Sequence, residues 1–294
     1  CEYMDSFLNL RPKIEIILNI DSDHLDYFKD IDHIVNSFDK FAKLVPGEGL
    51  IVAYEANPFV NQVIKNLDNA VTFGLNENCT YGGDNVVFNE KGLPAFDVKK
   101  EGRLLCRVQL SVPGEHNILN ALAAFACCHS LGIPTGVIKE TLEAYHGTQR
   151  RFDIVGTTAS GVKIVDDYAH HPTEIKATLA ACQNIPHNKL WCVFQPHTYT
   201  RTLALFDEFA DAFEKADELV LAEIYAAREK NIYKISSAQL ADKIKESHPD
   251  KKVTFMQDFN SIADYVEGSA DKGDLVLTMG AGDIYKVGEM ILER

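Results

Sequence analysis

The chain alternates between short apolar runs and longer stretches with helical periodicity. Residues 50–54 and 190–194 are nearly continuous in apolar side chains and are bounded by turn residues. Such strands are typical of a parallel sheet covered on both faces, because neither face meets water. The other runs of this kind are residues 14–20, 71–73, 162–165, 218–221, 253–255 and 275–278. The pattern predicts an α/β fold with mostly parallel sheets.

The stretches between these strands have an apolar face at helical spacing. In residues 173–182, Ile175, Leu179 and Cys182 share one face, and Lys176 lies off it, which predicts an amphipathic helix. Two further helices are predicted at residues 115–131 and 135–145. Before them, residues 81–111 consist of short alternating pieces with glycines, which predict antiparallel strands or hairpins.

A polar stretch at residues 147–152 separates the last of these helices from the next strand. It starts with glycine and contains two adjacent arginines. A chain of 294 residues suits about two domains by the usual range of roughly 100–200 residues each. We therefore predict one domain at residues 1–149 and a second at residues 150–294.

Composition narrows the class of protein. The formal net charge of −14 argues against nonspecific binding to nucleic acid or to an anionic membrane. The seven cysteines contain no Cys-x-x-Cys pair and predict reduced thiols in a cytoplasmic protein. No apolar run approaches the ~18 residues of a membrane span. The chain begins at Cys1 without methionine, so we expect it to be part of something longer.

The densest group of chemically active side chains follows the strand at residues 162–165. It contains Asp166, Asp167, Tyr168, His170 and His171. In an open α/β sheet, ligands bind beyond the carboxyl ends of parallel strands, where helix N-termini offer free backbone N–H groups. We expect residues 166–171 to form a strand-to-helix turn and to belong to a site.

A second group, residues 19–26, follows the first predicted strand. It contains three aspartates and His24, which could hold a divalent cation such as Mg²⁺ or Mn²⁺. The alternative is that Asp21 or Ser22 caps the next helix and the remaining acids are solvated. Local spacing alone does not decide between the two.

Two further groups are less specific. Asn117 and Asn120 are three residues apart and should share a helix face, where amides can contact the edge of a purine. Taken alone, this segment favours the other interpretation, an Ala-rich buried helix with polar residues in its first turns. Arg150 and Arg151 could neutralise phosphate or stack on a base, but paired arginines are commonly solvated.

The last two groups follow the strands at 190–194 and 275–278. Residues 195–201 contain His197 and Arg201, and Arg201 could receive a carboxylate through two hydrogen bonds. Residues 280–284 begin Gly-Ala-Gly, which is compatible with phosphate approach or with tight packing. The chain contains no Gly-Lys-Ser or Gly-Lys-Thr, so it has no Walker A loop for a triphosphate.

Taken in order, these strings resemble the Mur ligases along the whole chain. The matching segments are residues 1–7 (CEYMDSF), 19–26 (NIDSDHLD), 113–121 (PGEHNILNA), 150–152 (RRF), 166–174 (DDYAHHPTE) and 194–202 (FQPHTYTRT). The resemblance implies the back of a central ATPase domain followed by a Rossmann-like C-terminal domain with a mostly parallel sheet. The family's UDP-sugar domain and phosphate loop would then lie upstream of Cys1.

The resemblance also implies roles for individual residues. The implied catalytic residues are His24, His170 and Arg201, and His24 resembles a ligand of a second Mg²⁺ ion. The implied adenine and nucleotide contacts are His116, Asn117, Asn120, Arg151 and Asp167. The implied contacts to the acyl and amine end are Tyr168, His170 and Arg201. Relatives often place an arginine where this chain has Thr198, which leaves Arg201 as the remaining cation of that turn.

The implied reaction is ATP-dependent amide formation in peptidoglycan synthesis, with ATP and Mg²⁺ as cofactors. UDP-N-acetylmuramate and L-alanine are the implied substrates of the full-length enzyme. The alternative is a murein peptide ligase or another Mur-type amide ligase. The chain alone is expected to be inactive. Two other classes stay open, a metal-dependent hydrolase and a noncatalytic nucleotide-binding module. The hydrolase is disfavoured because the Asp/His groups fall in separate predicted domains.

Overall fold

The computed structural model describes residues 3–25 and 27–294, so Cys1, Glu2 and Asp26 of the motifs above lie outside the described residues. The chain divides into two compact units. The first contains Cys1–Asn89 and Leu93–His146, and the second contains Glu90–Gly92 and Gly147–Arg294.

The first unit is built on one six-stranded sheet. Its strands are β1 (Ile14–Ile17), β2 (Leu50–Tyr54), β3 (Ala70–Gly74), β4 (Tyr81–Phe88), β5 (Pro94–Lys100) and β6 (Arg103–Gln109). They lie in sequence order, with β1 to β4 parallel and β4 to β6 antiparallel. The change to antiparallel pairing falls in residues 81–111, as their alternating pattern predicts.

Helices cover both faces of this sheet. After a 3-10 segment (Tyr3–Asn9) they are α1 (Ile31–Ala42), α2 (Pro58–Ile64), α3 (Glu115–Ser130) and α4 (Thr135–Ala144). Ile34 of α1 and Val60 of α2 share a core with Ile51 of β2. Helix α1 begins after Asp30, whose side chain accepts the His33 N–H. Capping of this helix by Asp21 or Ser22, the alternative left open above, is therefore wrong.

The second unit contains another six-stranded sheet. Its strands are β7 (Asp153–Thr157), β8 (Lys163–Asp167), β9 (Leu190–Phe194), β10 (Glu218–Leu221), β11 (Lys252–Phe255) and β12 (Leu275–Met279). The order is β11-β10-β9-β12-β8-β7, and β7 at the edge is the antiparallel member. The predicted α/β class with mostly parallel sheets is confirmed.

Alternate residues of the buried strands face two helical layers. The helices are α5 (Pro172–Cys182), α6 (Tyr199–Ala204), α7 (Phe206–Ala210), α8 (Ser237–Ser247), α9 (Phe259–Ser269) and α10 (Tyr285–Leu292). Phe194 of β9 packs in the core that contains α5, α7 and α8 residues. Trp191 and Val193 face the core formed with α9 and α10. Over residues 3–25 and 27–294, none of the helices is both long and apolar enough to cross a bilayer.

Candidate active site

Three strands of the second sheet end side by side. Strand β12 lies between β8 and β9, and Met279 pairs with Asp167 on one side and with Phe194 on the other. Because these strands are parallel and end level, the loops that follow them emerge at one edge of the sheet. The polar strings at residues 166–171, 195–201 and 280–284 therefore lie along one edge.

Asp167 is tied into this edge by its backbone neighbours. It is 5% exposed, and its two carboxylate oxygens accept the N–H groups of Phe152 and Ala169, each at 2.7 Å. Burial raises the pKa of Asp167 to about 6, although these hydrogen bonds oppose the shift. Asp166 and Asp167 are the last residues of β8, so the expectation that both lie in the following turn is wrong. Contact of Asp167 with a nucleotide stays a prediction.

Arg151 and Tyr168 lie next to each other at the same edge. The Arg151 guanidinium carbon is 5.3 Å from the centre of the Tyr168 ring, a cation–π distance. Arg151 Nη1 is 3.9 Å from Glu174 Oε1, and about half of the Arg151 side chain stays exposed. Its charge is therefore accessible to an anionic ligand.

The two histidines of the first string have different environments. His170 Nδ1 lies 2.9 Å from the Tyr168 carbonyl oxygen and 3.4 Å from Glu174 Oε2. Its ring is 5.7 Å from the ring of His197, which follows β9. His171 caps helix α5, where its ring accepts the Thr173 N–H and Glu174 accepts the His171 N–H. His171 thus has a structural role, while His170 meets a residue of the neighbouring loop.

The loop after β9 brings Arg201 towards His197 and contains a strained residue. Arg201 Nη1 is 3.3 Å from His197 Nδ1. Thr198 has φ 64° and ψ 146°, a conformation that β-branched residues rarely adopt. It is held there by two backbone hydrogen bonds, from its own N–H to the Tyr225 carbonyl oxygen and from the Thr202 N–H to its carbonyl oxygen. Backbone strain of this kind is found mainly at functional sites.

The loop after β10 also belongs to this edge, and no candidate residue was assigned to it from the sequence. The Tyr225 ring stacks on His197 at 5.6 Å with an angle of 15°. Gln195 is buried, donates to the Glu223 carbonyl oxygen and accepts the Asp283 N–H. Gln195 thereby joins the loops that follow β9, β10 and β12. The missed signal was that polar residues also follow the predicted strand at 218–221.

The glycines after β12 allow these loops to pack closely. A Cβ atom on Gly282 would lie 2.4 Å from Gln195 Oε1 and 2.8 Å from Tyr225 Cγ. Gly280 has φ 147°, and a Cβ there would lie 2.6 Å from the Gln195 carbonyl oxygen. Of the two explanations left open for this Gly-Ala-Gly segment, tight packing accounts for both glycines.

In the first unit, the candidate adenine contacts lie in the first turns of α3. Asn120 Nδ2 donates to Asn117 Oδ1 at 3.3 Å, so the two amides share one helix face. Asn117 Nδ2 also donates to the Pro113 carbonyl oxygen. Asn120 is exposed and His116 is half-buried. These amides can offer donors and acceptors to a purine edge, and that role stays a prediction.

His24 lies in the turn between β1 and α1. It has φ 51°, its N–H donates to Asp23 Oδ1, and its ring is 5.2 Å from the Tyr3 ring. Within residues 3–25 and 27–294, no three His, Cys, Asp or Glu side chains form a group that could hold a metal ion. These residues alone therefore do not fit a complete Mg²⁺ site, and His24 as a metal ligand stays a prediction.

Family models match both units of the chain. The Mur ligase middle domain matches residues 3–128, and the glutamate ligase domain of Mur ligases matches residues 150–282. The chain is 48% identical over 295 residues to UDP-N-acetylmuramate–L-alanine ligase of Acetivibrio thermocellus, covering 100% of this chain and 62% of that protein.

The fold of the chain is similar to that of solved structures of these enzymes. The chain superposes on UDP-N-acetylmuramate-alanine ligase MurC of Thermotoga maritima with a TM-score of 0.78 and 28% identity, over 99% of this chain and 61% of that one. It has the fold of MurF ligase of Thermotoga maritima, a structure in complex with ADP, with a TM-score of 0.77 and 21% identity, over 96% of this chain and 62% of that one. The chain thus spans about three fifths of the length of these proteins.

Proposed function

The chain belongs to the Mur ligase family, and we propose that it forms the middle and C-terminal parts of an enzyme that joins L-alanine to UDP-N-acetylmuramate in peptidoglycan synthesis. The observation that carries this proposal is the 48% identity to an alanine ligase across the complete chain. It covers both units, and with them every polar string described above. We propose that the domain boundary lies at residues 149 and 150, and that the enzyme works in the cytoplasm. The six cysteines of the described part are all free, as a reducing compartment favours.

In the proposed reaction, a muramoyl carboxylate oxygen attacks the γ-phosphorus of ATP. The bond from this phosphorus to the β–γ bridging oxygen breaks, ADP leaves, and an acyl phosphate forms. The alanine amine then attacks the carbonyl carbon, a C–N bond forms, phosphate leaves with the electrons of the C–O bond, and the nitrogen loses a proton. Such chemistry depends mainly on positioning and on stabilisation of negative charge. We assign no step to Mg²⁺, because the described residues form no complete site for it.

The second unit supplies charge and orientation for this reaction. We propose that Arg151 and Asp167 meet the nucleotide and that Tyr168, His170 and Arg201 meet the acyl and amine end. The exposed guanidinium of Arg151 and the closeness of Arg201 to His197 support these assignments. In the first unit, we propose His116, Asn117 and Asn120 as adenine contacts and His24 as a metal ligand.

Phosphate release by the chain alone tests the expectation that it is inactive. The assay contains ATP, UDP-N-acetylmuramate and L-alanine. We expect no turnover, because the chain has no Gly-Lys-Ser or Gly-Lys-Thr to hold the β- and γ-phosphates. Titration with a nonhydrolysable ATP analogue should show at most weak binding. Sustained turnover would overturn this expectation.

Substrate choice is tested in a chain extended upstream to the length of the relatives. We expect turnover with L-alanine and little with a muropeptide tripeptide, and the reverse result would identify a murein peptide ligase. Arg201→Gln should raise the KM for alanine at least about tenfold, because a charge-assisted pair to the alanine carboxylate is lost. Arg103→Gln, an exposed arginine on β6, is the matched control and should leave that KM unchanged.

A further inference from the structure

Arg150, the first arginine of the pair, joins three separated parts of the second unit. Its Nε donates to Asp166 Oδ2 at 2.9 Å, at the end of β8. Its Nη2 donates to the Gly280 carbonyl oxygen at 2.7 Å, just after β12. Asp166 is itself fixed by the Thr278 hydroxyl at 2.8 Å. One planar side chain therefore connects residues 147–152 to two neighbouring strand ends.

Two aromatic rings hold the same guanidinium. Its central carbon lies 5.1 Å from the centre of the Tyr168 ring and 4.6 Å from that of Tyr285, at the start of α10. Both distances suit cation–π contacts, which strengthen as the cation loses water. About a quarter of the Arg150 side chain is exposed, so these contacts replace much of its hydration.

The backbone on both sides of Arg151 has an uncommon conformation. Arg150 and Phe152 have φ values of 58° and 52°, so both residues that flank Arg151 are left-handed. Such conformations are uncommon for residues with a Cβ and persist where the surroundings fix them. The Arg150 carbonyl oxygen accepts the Tyr168 N–H at 2.7 Å, and Phe152 is anchored through Asp167. Arg151 is thus held between two anchored neighbours.

We propose that Arg150 is a positioning residue, which fixes the turn that presents Arg151 beside Tyr168 at the edge of the sheet. A lysine could not replace it. An ammonium has no planar face for two rings and cannot donate to Asp166 and Gly280 in the geometry of a guanidinium. The inference rests on the proposed function only for the ligand that Arg151 meets, and the order of the turn can be measured without any ligand.

Nuclear magnetic resonance of the chain with ¹⁵N-labelled arginine and backbone amides tests this role. In Arg150→Lys, we expect the Arg151 Nε–H resonance to move to the position of an exposed arginine, because Arg151 leaves the Tyr168 ring. The amides of Phe152 and Tyr168 should exchange about tenfold faster or more, while the amides of the central strand β9 stay protected. Arg103→Lys is the matched control and should change neither signal.

Two results would overturn the proposal. The first is an unchanged Arg151 resonance in folded Arg150→Lys. The second is an equal acceleration of exchange throughout the second unit, which would mean that Arg150 contributes only to stability. If Arg150→Lys does not fold, Asp166→Asn removes the anionic partner at constant shape, and the same displacement of Arg151 is required. Because no nucleotide is present, a failure of the ligase proposal would leave these measurements unaffected.

Discussion

Asp167 in the second unit and Glu15 in the first are both buried acids on parallel strands, but their surroundings differ. Asp167 is 5% exposed and accepts two backbone N–H groups. Glu15, on β1, is 4% exposed, and neither of its oxygens has a hydrogen-bond partner among the described residues. Burial raises the pKa of Asp167 to about 6 and that of Glu15 to about 8.

The comparison shows that burial alone does not make a site. At the edge formed by β8, β9 and β12, each buried polar side chain named above meets donors or acceptors from a neighbouring strand or loop. Burial raises the pKa of Asp166 as well, even though Arg150 and Thr278 oppose the shift. Glu15 has desolvation without such compensation, so its proton is retained near neutral pH. Convergent hydrogen-bond partners, and not a raised pKa, therefore distinguish the edge of the second sheet from the surroundings of Glu15.

The largest expected effect is that of Glu15→Gln on stability at alkaline pH. The carboxyl ionises near pH 4.5 when unfolded and near pH 8 when folded, so the native state binds more protons between these values. The stability of the wild-type chain should fall as pH rises through this window. The amide introduced by Glu15→Gln has no proton to lose, and the variant should be more stable than wild type by on the order of 4 kcal/mol at pH 9.

Urea unfolding followed by circular dichroism at pH 6, 7, 8 and 9 measures this difference. The advantage of Glu15→Gln should grow by about 2 kcal/mol from pH 6 to pH 8 and by only about 0.4 kcal/mol more to pH 9, where the folded-state carboxyl is also largely ionised. Hydrogen exchange of the β2 amides assigns the change to the first unit. Glu48→Gln, an exposed residue of the same unit, is the control. If the free energies of unfolding of Glu15→Gln and wild type changed with pH in parallel, the pKa of Glu15 would not be raised by folding, and the difference drawn here between Glu15 and Asp167 would be wrong.

Next in size is the loss of the partnered pair in the second unit. Asp166→Ala should lower the free energy of unfolding by about 3 kcal/mol, because it leaves the Arg150 guanidinium without its buried carboxylate. Unfolding can be followed by fluorescence of Trp191, the single tryptophan, which lies in this unit's core.

A double-mutant cycle that combines Asp166→Ala with Arg150→Met measures the interaction energy between the two residues. The double variant should lose less than the sum of the single losses, by about 1–2 kcal/mol, because each single change leaves an unmatched partner. Asp264→Ala breaks an exposed pair with Arg294 and should leave stability almost unchanged. Strict additivity at Arg150 and Asp166 would show that they do not act together.

Local pattern predicted much of the fold. The bounds of β2 and β9 agree with the apolar runs at 50–54 and 190–194, because buried parallel strands are apolar on both faces. Strand β7 was not predicted. Its Ile154 and Val155 are exposed at the sheet edge, so no buried face marks it in the sequence. Likewise, the turn before α1 contains acids that resemble caps, while the actual cap is Asp30.

The sequence predicted which loops contain polar residues, because each of these loops follows a recognisable strand, but it did not predict which loops lie next to each other. Polar strings after β8, β9 and β12 are visible in the sequence, but their adjacency depends on β12 lying between the other two strands. The link between Arg150 and the Gly280 carbonyl oxygen spans 130 residues and involves a backbone atom that no motif contains. The stacking of Tyr225 on His197 similarly follows from the pairing of β9 with β10.

The smallest expected effect concerns Thr198, in the loop after β9. It tests whether the contacts at this edge of the second sheet keep the Thr198 backbone in its strained conformation. Thr198→Gly should stabilise this unit by about 1–2 kcal/mol relative to Thr198→Ala, because glycine adopts φ 64° and ψ 146° without a Cβ penalty. Both variants lack the hydroxyl, so their difference isolates the backbone. In the middle of a helix or strand, glycine is less favourable than alanine by roughly 0.5–1 kcal/mol. A glycine variant that is more stable than the alanine variant would therefore indicate a strained backbone at residue 198. Trp191 fluorescence in urea gives the measurement. If the alanine variant were the more stable one, the backbone at residue 198 would have relaxed to an ordinary conformation. The hydrogen bonds of Thr198 would then fix the loop backbone less closely than the two backbone N–H groups fix the carboxylate of Asp167.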